Sequence, residues 1–212
     1  MQKHITLTTS DNIQLSAVYE YDVQDKIAVL MHMMPATKES WEALSKVLHE
    51  HGYATLAFDE RGHGESTMNG TLNYKLFTDA EQQTKRYDVE AALAFAREQG
   101  FDEAHTILMG ASIGANLTIR ALAEHNQIPL GVVLSPGIDY HGVTTDDVVT
   151  KLGPTQKLLL VASDDDVGSW KSIHELHRLN PATILIERSG LGHGTNMTDK
   201  DLSLVEEITK YL

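Results

Sequence analysis

A serine stands at the centre of a glycine-flanked motif in the middle of the 212-residue chain. The motif is Gly110-Ala111-Ser112-Ile113-Gly114, with a strand-type run before it and a helix-type run, 115–123, after it. A sharp turn from strand to helix forces its central residue into a left-handed conformation, and glycines on both sides remove the collisions that larger residues would cause. The motif therefore predicts a nucleophilic hydroxyl at Ser112. The N–H of Ile113, free at the start of the helix, is predicted to face a developing oxyanion.

A serine nucleophile needs a base to take its proton, and the base needs an acid to orient it. Both partners are expected just after later strands. His193 lies in the glycine-rich loop 189–194, which follows a strand-type run and would let an imidazole move between nucleophile and leaving group. We therefore predict His193 as the general base. The acid is expected after another apolar run, where Asp164, Asp165 and Asp166 all compete.

The elements that must position these residues alternate along the chain. Strands are predicted at 4–8, 13–19, 27–31, 53–58, 106–109, 130–134, 158–161 and 183–186, and helices at 38–51, 78–100, 115–123, 169–179 and 199–212. Alternating strands and helices predict a mostly parallel sheet whose active loops lie at the carboxyl ends of the strands. Length and a hydrophobic content of 42% predict one domain over residues 1–212.

The composition bears on partners and compartment. The formal net charge is −13 and there is no basic run, which argues against nucleic acid and anionic membrane surfaces as partners. The N-terminus lacks the apolar core of a signal peptide and no apolar stretch approaches the length of a membrane span, so a cytoplasmic protein is expected. The chain has no cysteine and therefore no thiolate chemistry.

Four motifs in this order give the chain a family resemblance. They are residues 59–66 (Asp-Glu-Arg-Gly-His-Gly-Glu-Ser), the serine motif 110–114, the aspartate loop 163–167 and Gly192-His193-Gly194. Together they resemble the α/β-hydrolase superfamily over nearly the whole chain, close to small lidless serine esterases and dienelactone-hydrolase-like members. The resemblance implies an α/β-hydrolase fold. That fold has a mostly parallel sheet of about eight strands, helices on both faces and a minimal cap or none.

The resemblance also orders the candidate residues. The family's acid usually lies three residues after the small residue that ends the strand. Here that residue is Ser163, which points to Asp166, with Asp165 as the alternative. The stretch 59–66 resembles a structural turn behind the active site, so Arg61 and His63 are expected to be scaffold residues.

A second oxyanion donor is implied in the loop after the third strand, usually His-Gly-x in this family. This chain has His32-Met33-Met34-Pro35, in which methionine replaces the glycine. The matching donor is the N–H of Met34, with that of Met33 as the alternative, because Pro35 has no N–H. We expect Met33 and His32 to line the substrate site, although the methionines could equally fill core space.

These residues predict a serine hydrolase, most specifically a carboxylesterase that cleaves small to medium acyl esters through an acyl-enzyme. Ser112, His193 and Asp166 would form the triad, with no metal or cofactor. The segment 135–156 is too short for a large helical lid, which favours an open cleft. The alternatives are a thioesterase, perhydrolase or carbon-carbon bond hydrolase with the same triad, and a non-catalytic ligand-binding or regulatory protein on this scaffold.

One metal-like pattern is also present. His174 and His177 flank a glutamate, but their spacing is one residue short of the zinc motif His-Glu-x-x-His. We therefore expect no metal site there.

Overall fold

The computed structural model describes residues 1–22 and 24–212. Its strands are β1 (Gln2–Thr8), β2 (Gln14–Glu20), β3 (Lys26–Met31), β4 (Tyr53–Phe58), β5 (Thr106–Ala111), β6 (Leu130–Leu134), β7 (Asp139–Tyr140), β8 (Val143–Thr144), β9 (Lys157–Ser163) and β10 (Ile184–Arg188). Its α-helices are α1 (Glu42–Glu50), α2 (Asp79–Gln83), α3 (Arg86–Glu98), α4 (Ile113–Glu124), α5 (Asp146–Val149), α6 (Val167–Leu179), α7 (Asn196–Lys200) and α8 (Leu202–Thr209).

Eight of these strands form one sheet in the order β1-β2-β4-β3-β5-β6-β9-β10. β1 and β2 pair antiparallel, as does β2 with β4, whereas all later neighbours pair parallel. The central strands are buried apolar runs because helices cover both faces. On β5, for example, Leu108 packs into the core of one face and Met109 into that of the other. This confirms the predicted fold class.

The parallel register brings the carboxyl ends of β3, β5, β6, β9 and β10 to one edge of the sheet. Ser112 follows β5, Asp166 follows β9 and His193 follows β10. The fold therefore gathers the candidate residues at the edge where α/β sheets bind ligands.

The helix predicted over 78–100 is instead two helices, and the break has a physical cause. Thr78 forms a capping box with Glu81 at the predicted start of the helix, but α2 ends at Gln83 and α3 begins at Arg86. Lys85, between them, is fully buried and turns its ammonium into the protein. The N–H of Lys85 donates to the carbonyl oxygen three residues earlier, so the chain makes a 3₁₀ turn here and the α-helix is interrupted.

Two other helix predictions also need correction. The helix predicted over 38–51 begins as a 3₁₀ turn, Lys38–Trp41, and Thr37 does not cap it because its hydroxyl donates to Glu39. The last predicted helix divides into α7 and α8 at Asp201, whose carboxylate accepts from the N–H of Ser203. At Asp201 this side-chain bond competes with the helical ladder and separates the two helices.

The segment 135–156 contains only β7, β8 and α5, so its described residues form no helical lid. Across the described ranges, the helices are too short or too polar for any of them to cross a bilayer.

The nucleophile helix α4 ends at a histidine that should make stability depend on pH. His125 bonds both Glu90 and Glu103 at 2.8 Å. The bond to Glu90, opposed by burial and aided by Glu103, raises the pKa of His125 from 6.5 to about 9. The folded state then holds the extra proton, so this stabilisation is complete below pH 6.5 and lost as pH rises through 9. As the pH is raised from 6.5 to 9, the melting temperature of His125→Gln should therefore fall less than that of the wild type. Parallel curves would contradict this assignment.

Candidate active site

Ser112 occupies a strained turn between β5 and α4. Its backbone lies at φ 55° and ψ −119°, and the residue is only 7% exposed. A Cβ on Gly110 would collide with the carbonyl of Gly114, and a Cβ on Gly114 would lie 2.5 Å from the carbonyl oxygen of Met31. The two glycines therefore allow β5, α4 and the end of β3 to approach each other around the serine.

His193 is oriented by a carboxylate from the neighbouring loop. Its Nδ1 lies 2.7 Å from Oδ2 of Asp166, whose Oδ1 accepts from the N–H of Ser169 at the start of α6. Burial acts to raise the pKa of Asp166, but the bonds from Ser169 and His193 outweigh it and hold the pKa below its ordinary value. An ionised Asp166 makes Nδ1 the donor, which leaves Nε2 as the acceptor that a general base requires.

The other two aspartates of the cluster hold the histidine loop rather than the ring. Asp165 accepts from the N–H of Gly192 at 3.1 Å. Asp164 accepts from the N–H of Gly190 at 3.1 Å and from the hydroxyl of Ser189 at 2.8 Å. The structure therefore places Asp166, and not Asp165, on the imidazole.

The histidine loop packs against the nucleophile turn. A Cβ on Gly194 would lie 3.5 Å from the Cβ of Ala111 and would collide with the sulfur of Met33. Within the described residues, however, the Ser112 hydroxyl makes no hydrogen bond to His193. Attack thus requires this hydroxyl to turn towards Nε2, and such bonds commonly tighten only when substrate binds.

The two candidate oxyanion donors lie on adjoining elements. Ile113 is the first residue of α4, so the helix itself offers no acceptor for its N–H. On the other side, Nδ1 of His32 lies 2.9 Å from the carbonyl oxygen of Met33. In a trans peptide the C=O and N–H point in opposite directions, so the N–H of Met34 points away from His32.

His32 does not line the substrate site, contrary to the prediction. It is fully buried, and its Nε2 accepts from the N–H of Glu60 at 3.0 Å while Nδ1 donates to Met33. Both ring nitrogens are therefore used inside the protein. Met33 is partly exposed, and its sulfur lies against Gly194 next to His193, which suits the predicted pocket role.

Behind this loop lies a buried cluster that could be mistaken for a metal site. The ligand atoms of His32, Glu60 and His63 lie within 4.8 Å of one another. The ammonium of Lys85, 2.8 Å from Oε2 of Glu60, already supplies the positive charge. Burial and Lys85 lower the pKa of His63 to about 3, so its ring is neutral. The cluster therefore suits an internal ion pair better than a cation.

The two histidines of the pattern that resembles a zinc motif, His174 and His177, also bond to separate groups. Nε2 of His174 lies 3.0 Å from Glu187, whereas Nδ1 of His177 lies 3.0 Å from the hydroxyl of Thr183. The two rings have separate partners and do not converge on one point.

Sequence reasoning missed two residues that support the site. Ser135 directly follows β6 and has a φ of 56°, and its hydroxyl accepts from the N–H of Gly194 at 2.9 Å. Tyr140 lies 3.1 Å from the hydroxyl of Ser169. The sequence carries a signal for Ser135, because Ser135-Pro136-Gly137 directly follows a buried strand, but none that singles out Tyr140.

Comparison with known protein families identifies one whose sequence pattern this chain matches. The family described as serine aminopeptidase, S33, matches residues 23–164, about two thirds of the chain. The chain belongs to this family of α/β hydrolases.

Individual relatives show the same fold. The structure of the esterase Pf2001 from Pyrococcus furiosus matches with a TM-score of 0.83 and 19% identity, covering 100% of this chain and 91% of that one. Dienelactone hydrolase from Anabaena variabilis matches with a TM-score of 0.75 and 14% identity, covering 100% and 98%.

One curated relative aligns over a shorter stretch. A Synechocystis sp. protein named "Putative non-heme chloroperoxidase" is 25% identical over 135 residues, 63% of this chain and 45% of that protein. The chain thus matches less than half the length of that relative.

The aspartate geometry generates a prediction that separates two neighbours. Asp166→Asn should lower kcat for p-nitrophenyl acetate by about 10³ to 10⁴, because an amide cannot hold the imidazole in the same tautomer. Asp165→Asn keeps an oxygen that can accept from the N–H of Gly192, so only a contact that positions the loop is weakened. Its kcat should therefore stay within about fivefold of the wild-type value. Equal losses in the two variants would contradict the assignment of Asp166.

The buried ion pair generates a prediction on stability. Lys85→Met should lower the free energy of unfolding by about 3 to 5 kcal/mol, because it leaves Glu60 buried without a counter-charge. Glu60→Gln/Lys85→Met removes both charges and should recover most of this loss. Urea unfolding of both variants and the wild type measures the difference. A double variant no more stable than Lys85→Met would argue against the pair.

Proposed function

We propose that this α/β hydrolase is a serine carboxylesterase acting on small to medium acyl esters. The observation that carries the proposal is the 2.7 Å bond between His193 and Asp166, which orients an imidazole in a loop packed beside the nucleophile turn. Serine, imidazole and carboxylate in this order along the chain suit acyl transfer. Esterases among the structural neighbours share the fold, which is compatible with this chemistry.

The proposed reaction has two halves. The Ser112 hydroxyl gives its proton to Nε2 of His193 while its oxygen bonds to the ester carbonyl carbon. The carbonyl oxygen becomes negative and accepts from the N–H groups of Ile113 and Met34. His193 returns the proton to the departing alkoxide, and the acyl group stays on Ser112.

Water then repeats these steps in the second half. His193 takes a proton from water, whose oxygen attacks the acyl carbonyl, and returns it to the serine oxygen as the acid leaves. The ionised carboxylate of Asp166 stabilises the imidazolium in both halves. All the groups required are side chains and backbone N–H groups of this chain.

The substrate range follows from what surrounds the nucleophile. The described part of segment 135–156 provides no helical lid to cover a long lipid chain. Met33, partly exposed and lying against Gly194, offers an adaptable apolar contact for a short acyl group. We therefore propose acetyl to butyryl esters of small alcohols as substrates.

Steady-state hydrolysis of p-nitrophenyl acetate tests this function. Ser112→Ala and His193→Ala should each lower kcat by about 10³ or more, since a triad acts as a unit. Ser203→Ala removes an exposed serine hydroxyl at the start of α8 and is the matched control, with kcat unchanged. A fluorophosphonate probe should label the wild type and the control but not Ser112→Ala.

Two outcomes would overturn the proposal. Hydrolysis and labelling that persist in Ser112→Ala would assign the chemistry to another residue. An unreactive serine in a protein whose melting temperature still rises with a small ligand would favour the binding-protein alternative. Parallel assays with a thioester and with alanine p-nitroanilide show whether another electrophile is preferred.

A further inference from the structure

The segment between β6 and β9 forms a small hairpin beside the nucleophile. β7 and β8 pair antiparallel, with Tyr140 opposite Val143. The two connecting residues, His141 and Gly142, have φ values of 55° and 78°. Two such residues in succession make the tight turn whose twist matches paired strands. The backbone of Tyr140 is therefore held in a paired strand and does not belong to an open loop.

The hairpin is tied to the rest of the site from two sides. Asn116, one turn after the nucleophile on α4, donates to the carbonyl of Val143 at 2.6 Å and accepts from the N–H of Gly137 at 2.9 Å. At the tip, Nδ1 of His141 lies 3.2 Å from a carboxylate oxygen of Asp79 at the start of α2. Because Asn116 is fully buried, its two bonds fix the hairpin relative to Ser112.

The phenol end of Tyr140 reaches into the site. Its hydroxyl lies 3.1 Å from Oγ of the buried Ser169 and 3.5 Å from the carbonyl oxygen of Ser135. The ring fits because residue 137 is glycine: a Cβ there would lie 2.8 Å from the ring.

The surroundings of this hydroxyl include the nucleophile and the acid. Burial raises the pKa of Tyr140, hydrogen bonding to Ser169 and Ser112 opposes the rise, and the charge of Asp166 adds to it. The carbonyl oxygen of Leu134, the residue before Ser135, accepts from the N–H of Ser112 at 2.9 Å. Because the phenol lies 3.5 Å from the carbonyl oxygen of Ser135, it stands beside the nucleophile turn, where part of a bound ester must lie.

We infer that Tyr140 is a specificity-determining residue whose ring limits the length of the ester group that fits beside Ser112. The inference rests on the proposed esterase function and deepens it. The buried Asn116 holds the hairpin backbone and Ser169 holds the phenol, so the ring cannot swing aside at low cost and a longer chain on this side meets it. The hydroxyl of Tyr140 bonds to Ser169, but it is the ring and not the hydroxyl that limits the length of the ester.

Chain-length profiles separate the roles of ring and hydroxyl. The assay compares kcat/KM for p-nitrophenyl acetate and octanoate, and for ethyl and octyl acetate. In each series, the kcat/KM for the long ester is divided by that for the short one. Tyr140→Ala should raise this ratio by about tenfold or more in the acyl series or in the alcohol series, as expected for added methylenes entering a pocket. Tyr140→Phe keeps the ring and should leave both ratios within about twofold, with at most a modest fall in kcat.

Tyr87→Ala is the matched control, because Tyr87 lies on α3 with its hydroxyl bonded to Arg86 and should leave both ratios unchanged. If Tyr140→Ala is folded and active but its long-to-short ratios equal those of the wild type, the inference on Tyr140 is overturned while the proposed esterase function stands. A wild type whose Ser112 reacts with no ester and no fluorophosphonate overturns the proposed function and the inference with it. If Tyr140→Ala does not fold, Tyr140→Leu, which still shortens the side chain, decides the question by the same ratios.

Discussion

The site depends on how closely three backbone segments approach one another at Ser112. Gly114 lets the first turn of α4 lie against the carbonyl oxygens of Met31 and His32, where a Cβ would be 2.5 and 2.7 Å away. This contact brings the N–H of Ile113 next to the loop that carries the N–H of Met34. A left-handed conformation at Ser112 is the cost of the approach, and strain of this kind persists only where the surrounding structure enforces it. The buried parallel sheet supplies that enforcement.

Charged groups hold the loops around this turn, in addition to the apolar packing of Met33 and Leu191 against the core. The three consecutive aspartates after β9 act on different groups, since Asp166 holds the imidazole while Asp164 and Asp165 hold the backbone of the histidine loop. On the other side, the backbone of Glu60 holds His32, and Lys85 balances the Glu60 carboxylate. Buried charges are tolerated only when paired, so the loop 32–35 and the ion pair are linked parts of one arrangement.

Much of this architecture could be predicted from the sequence because the relevant signals are local. Apolar runs and glycine-flanked turns fix the sheet and the position of Ser112, and the predicted mostly parallel, eight-stranded fold is confirmed. The break before α3 could not be predicted, since the helical pattern continues through it. The burial of Lys85 could not be predicted either, because its partner, Glu60, lies 25 positions earlier in the chain. The burial of His32 and the position of Tyr140 depend in the same way on contacts between distant segments, which periodicity does not report.

The proposed chemistry requires Ser112, His193 and two backbone donors to converge on one reacting carbon. A crystal structure of the protein inactivated with an ethyl fluorophosphonate tests this most directly, because the phosphonyl group imitates the tetrahedral intermediate. We expect phosphorus on Oγ of Ser112, with one phosphonyl oxygen about 2.7 to 3.1 Å from the backbone nitrogens of Ile113 and Met34. Nε2 of His193 should then face the serine oxygen. A phosphonyl oxygen directed away from both donors, or an adduct on another residue, would show that these groups do not converge on one reacting carbon.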